Sequence, residues 1–94
     1  MLSDRIRELR VARGMSQVEL AKYLNVTKQS VSNWENDNIQ PSIDMLIKLS
    51  KSLNVSCDYL LGLDDRTYLE VTGLTAEQIS HITFIINDIK KSFR

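Results

Sequence analysis

The sequence predicts an all-α fold, a bundle of five short helices with a sixth appended, and three observations carry that prediction. Helix-start signals recur along the chain at Ser3, Ser16 with Glu19, Thr27, Ser42, Ser56 and Thr75 with Gln78. In each the hydroxyl can accept a bond from an orphan amide of the first turn, and the paired Glu or Gln can reach back. Apolar residues between these signals recur three and four apart, the period of one helical face. The first 62 residues hold no strand signal, and Gly14 and Gly62 stand where helices end.

The first helix starts at Ser3, turns Ile6, Leu9 and Ala12 inward, and spreads Arg5, Arg7, Arg10 and Arg13 around its cylinder. Then comes Ser16–Asn36, SQVELAKYLNVTKQSVSNWEN, read as two short helices joined by a turn at Leu24–Val26. Leu20, Leu24, Val26, Val31 and Trp34 are apolar, and Ala21 is small where two helices must approach. Val31 and Trp34 lie three apart and face inward, so Trp34 is read as core and not as a stacking platform. Lys28, Gln29, Ser32, Asn33 and Asn36 share the opposite face. The result is a helix-turn-helix with a hydrogen-bonding surface. Amide side chains can bond adenine bidentately in a major groove, so Gln29 and Asn33 are the first candidates for base readout. Lys28 suits guanine or phosphate, Ser32 can reach a base edge, and Ser30 and Asn36 suit phosphate, fixing register without reading sequence.

Pro41 closes the following loop. Ser42 caps a fourth helix with Ile43, Leu46, Ile47, Leu49 and Leu53 at helical spacing, and Ser56 starts a short fifth with Tyr59, Leu60 and Leu61. Residues 1–62 thus form one unit. Residues 63–74 read as a linker, in which Tyr68, Leu69 and Val71 suit a short extended segment on the bundle. Residues 75–94 form the sixth helix. Ile79, Ile82, Ile86, Ile89 and Phe93 recur at alternating steps of three and four, an a/d seam that Ile85 widens. Lys90, Lys91 and Arg94 occupy its last turn, where cations suit the helix dipole. Such a helix folds back on its own bundle or pairs with another copy. The five preceding helices already account for a core, so dimerisation is the expectation.

Residues Arg5–Gly62 resemble the Xre family, the helix-turn-helix domain of phage repressors and many bacterial regulators. The segments RIRELRVARGMSQVELAKYL, VTKQSVSNWEN and PSIDMLIKLSKSLNVSCDYLLG carry the resemblance over about two thirds of the chain. It implies a five-helix repressor-like DNA-binding bundle plus a C-terminal dimerisation helix, acting as a homodimer on double-stranded DNA. Two half-sites roughly 34 Å apart need two recognition helices of matching symmetry. The resemblance also implies that Gln17 contacts a phosphate and that Arg10 pairs with Glu35. Two positions depart from the family. Asn25 stands where glycine is frequent, and Asn tolerates the left-handed conformation. Asp37-Asn38-Ile39-Gln40 replaces the usual glycine and basic residues, a loop that holds a phosphate less firmly.

Composition narrows the function classes. Ninety-four residues with 43% hydrophobic content make one folded domain or one with an appendage. Twelve basic residues balance twelve acidic ones. The first 36 residues hold six basic and four acidic side chains, a weak asymmetry that implies low non-specific affinity. Cys57 is alone and cannot form an internal disulfide, and no apolar run reaches membrane-spanning length. A cytoplasmic protein without membrane partners is the expectation. One His (His81, off the seam) and one Cys make no metal set, and no cofactor is expected. There is no nucleophile elbow and no P-loop, so no enzyme is expected. The rival to DNA binding is a protein-interaction module whose sixth helix binds a toxin or antirepressor, as an antitoxin or adaptor would.

Overall fold

In the computed structural model, which describes residues 1–92, the chain forms α1 (Leu2–Ala12), α2 (Gln17–Leu24), α3 (Lys28–Glu35), α4 (Ile43–Leu53), α5 (Cys57–Leu60) and α6 (Ala76–Ser92). Local chemistry sets most of these boundaries. Ser16 accepts from the Glu19 amide while the Glu19 carboxylate accepts from the Ser16 amide, each at 3.0 Å. Thr27, Ser42 and Ser56 each accept from the amide three residues on, at 3.0 to 3.1 Å. Thr75 and Gln78 close a second reciprocal box at 3.0 and 3.1 Å. Each such cap contributes about 1 kcal/mol.

The first helix departs from expectation. It starts one residue before Ser3, with Met1 at the cap position and no side-chain bond, and Ser3 is buried inside the helix. Ser3 is buried on the same inward side of the helix as Ile6.

The core joins Ile6 and Leu9 of α1, Leu20, Ala21 and Leu24 of α2, Val31 and Trp34 of α3, Leu49 and Leu53 of α4 and Leu60 of α5. α3 packs between α1 and α2, α4 lies against α1 and α2, and α5 closes the bundle on α1 and α4. Three expected core residues lie outside it. Ala12 is exposed, and on α4 Ile43 is 79% exposed and Ile47 also faces solvent. The α4 stripe that reaches the bundle runs through Met45, Leu46, Leu49 and Leu53. It leaves Ile43 and Ile47 on the flank.

The turn between α2 and α3 depends on Asn25, which takes the left-handed conformation (φ 58°) and donates its amide to Lys22. α6 has no buried residue, and it is absent from the close helix pairs among the described residues.

Candidate nucleic-acid interface

α3 is held from behind by a buried carboxylate. The Glu35 side chain is fully inaccessible. Arg10 grips it with two parallel bonds, Nε to Oε2 at 2.7 Å and Nη2 to Oε1 at 3.0 Å. Gln17 Nε2 donates to Oε1 at 3.1 Å, and the Arg7 guanidinium lies 3.6 Å from the same oxygen. Three helices therefore meet on one carboxylate. Burial pushes the Glu35 carboxyl up, but bonds from Arg10 and Gln17 and the charges of Arg10 and Arg7 outweigh it, holding the group below the usual carboxylate range. The Arg10–Glu35 pair implied by the family resemblance is thus present, and it is structural. The hydrogen bond of Gln17 and the ion pair of Arg7 to the same carboxylate depend on cross-helix distances that spacing within one helix does not encode.

The outward face of α3 carries the candidate readers. Lys28 and Gln29 are exposed, and Ser32 and Asn33 are half-buried. Gln29 Nε2 donates to Asn33 Oδ1 at 3.0 Å, so the two amides form one unit. Gln29 keeps its carbonyl and Asn33 its NH2, the acceptor and donor that an adenine edge requires. Ser30 sits in the helix cap, its hydroxyl 3.0 Å from that of Thr27. Asn36 donates to Ser32 at 3.2 Å and accepts from Arg7 at 3.1 Å. Gln17 lies at the N-terminus of α2 with its amide nitrogen turned to Glu35. The structure brings the α3 residues together on the outward side of that helix, whereas the Gln17 amide is bonded to the buried carboxylate behind it.

Arg5, Arg7 and Arg10 of α1 and Arg13 just beyond it each bond to another part of the chain. Arg5 stacks 4.1 Å over the Tyr59 ring, donates to the Tyr59 carbonyl and pairs with Asp65 at 2.7 Å. Arg7 donates to the Glu35 carbonyl at 3.0 Å. Arg10 also reaches the Met15 carbonyl at 2.8 Å, and Arg13 caps α4 through the Leu53 carbonyl at 2.6 Å. The weak basic excess of the first 36 residues is therefore tied up locally. Exposed Lys22, Lys28, Lys48 and Lys51 take part in no ion pair among the described residues.

Behind α3, Asp37 adopts φ 59°, the left-handed conformation that favours glycine. Asp37→Gly should relieve that strain and remove a negative charge beside the interface. The expected gain is about 0.5 kcal/mol, read by thermal unfolding; a lower midpoint would show that Asp37 contributes more than its backbone costs.

A compact helical bundle presenting the second helix of a tight helix-turn-helix, polar face outward, defines the class of helix-turn-helix DNA-binding domains. A helix-turn-helix family model matches residues 6–60, more than half the chain, and the chain belongs to that family. It is 40% identical over 79 residues to the HTH-type transcriptional regulator ImmR of Bacillus subtilis, covering 84% of this chain and 62% of that protein. Among solved structures, the P22 c2 repressor in complex with a synthetic operator aligns with TM-score 0.65 and 36% identity over 68% of this chain and 97% of that one. A chain of the SinR protein/SinI protein complex aligns with TM-score 0.63 and 27% identity over 97% of this chain and 99% of that one. The chain spans 56% to 62% of the length of the first three curated relatives it matches. No helix among the described residues is long and apolar enough to cross a membrane.

Proposed function

We propose that this chain is a non-catalytic, cytoplasmic transcriptional regulator that binds double-stranded DNA sequence-specifically, as a repressor in the broad sense and as a homodimer. The observation that carries this reading is the exposed face of α3, where Lys28, the joined Gln29–Asn33 amides and Ser32 stand outward on a helix clamped through Glu35. A clamped helix places base-reading groups at little entropic cost on binding. The operator complex of the P22 c2 repressor, at 36% identity, supports the same reading. Sequestered arginines leave few cations for phosphates, so specificity rests on base contacts and on two linked half-sites more than on charge.

Selection of bound duplexes from a random pool tests this directly. Enrichment of a palindrome with half-sites about one turn apart is expected, and no enrichment by folded protein would refute base readout. On the selected duplex, Asn33→Ala should cost about 1–3 kcal/mol and little on shuffled DNA. Equal losses on both would remove Asn33 from the readers.

The open apolar face of α6 supports a second reading, in which a different protein such as an antirepressor or toxin occupies it. The likeness to a chain of the SinR protein/SinI protein complex favours a protein partner of some kind. Solution mass separates the two: a stable dimer supports self-pairing, and a monomer supports a missing partner.

A further inference from the structure

Arg7 belongs to the first helix, yet its guanidinium reaches the C-terminal end of α3. Its Nη2 donates to the Glu35 carbonyl at 3.0 Å and to Asn36 Oδ1 at 3.1 Å. Asn36 Nδ2 in turn donates to Ser32 Oγ at 3.2 Å. An isolated Asn can present either its oxygen or its nitrogen to a neighbour. With the oxygen held by a cation, only the NH2 group can face the other way. One of its hydrogens goes to Ser32 and the other remains. The Ser32 oxygen, already accepting, then keeps its own hydrogen for donation.

Resting on the DNA-binding reading, we infer that Arg7 is a positioning residue that sets the polarity of the Asn36–Ser32 relay, so that both side chains meet DNA as donors. Donors suit what they would face. Phosphate oxygens accept, and so do guanine N7 and O6, adenine N7 and thymine O4 along the major groove. Arg7 does this without touching DNA. Its planar fork bonds the carbonyl and the amide oxygen together, which a lysine ammonium does not reproduce at the same two sites.

The test uses the full chain and two variants that keep the fold charge-balanced or nearly so, Arg7→Lys and Asn36→Ala, with Arg7→Ala as a harsher companion. In the free protein, NMR signals of the Asn36 side-chain NH2 should be distinct in the wild type and shift toward free-amide values in Arg7→Lys. Unchanged signals would overturn the relay. On the duplex the wild type enriches, Arg7→Lys should bind roughly five- to tenfold more weakly. In Arg7→Ala, which removes the cation, the slope of log affinity against log salt should be unchanged, because no phosphate contact is lost. A slope shallower by about 0.9 would reveal a direct Arg7–phosphate contact and overturn the inference, as would wild-type affinity. In an Asn36→Ala background Arg7→Lys should have no further effect, and additive losses would also overturn it. An intact relay in a chain that enriches no duplex would refute the DNA-binding reading and the positioning role with it.

Discussion

Arg10→Met should lower the unfolding free energy by about 3 kcal/mol, because it strands the Glu35 carboxylate where water cannot reach it. For a domain of this size that corresponds to a thermal midpoint lower by roughly 12–24 °C. Arg7 and Gln17 remain nearby, but Arg7 stands at 3.6 Å and Gln17 carries no charge, so neither replaces the two-bond grip of Arg10. The double variant Arg10→Met/Glu35→Leu should recover most of the loss, since removing both charges removes the stranded one. Acid supplies an independent check. The Glu35 carboxyl titrates below its ordinary value of 4.5 in the folded chain, so its ionised form stabilises the fold above that value. The contribution disappears as pH falls through the lower folded value. Glu35→Gln should flatten this acid limb. Thermal unfolding followed by circular dichroism measures all of these. An Arg10→Met protein as stable as the wild type at neutral pH would mean that the carboxylate is satisfied without Arg10.

In the homodimer proposed above, Ile86→Asp should yield monomers and weaken binding to a palindromic duplex by about 100-fold or more, the loss expected when two linked half-site contacts become independent. α6 carries Ile79, Ile82 and Ile86 half-buried along one side, while Ile85 and Ile89 are 58% and 51% exposed. Phe93, the last residue assigned to the seam, lies outside the described residues. A charge in the centre of such a seam has no partner in a dimer and costs little in a monomer. The thermal midpoint of the bundle should hardly change, because α6 contributes nothing to the buried core. Sedimentation and duplex titration on the same preparation read both effects. A variant that stays dimeric would place self-association elsewhere on the molecule.

The sequence by itself determined whatever depends on neighbours a few residues apart. The caps at Ser16, Thr27, Ser42, Ser56 and Thr75, the left-handed turn at Asn25 and the inward aim of Val31 and Trp34 follow from one helical turn of chain. Tertiary structure decided what depends on distance between helices. Ser3 is buried instead of capping, and Ile43 and Ile47 are left on a flank because α4 meets the bundle along a different stripe. Arg5, Arg7, Arg10 and Arg13 find carbonyls on α3, α4 and α5 and the Glu35 carboxylate, so charge counted along the chain overstates what a phosphate can meet. Helical period specifies which residues share a face. Only the packed bundle specifies what that face meets, because a guanidinium on a long flexible stem bonds whichever acceptor packing brings within reach.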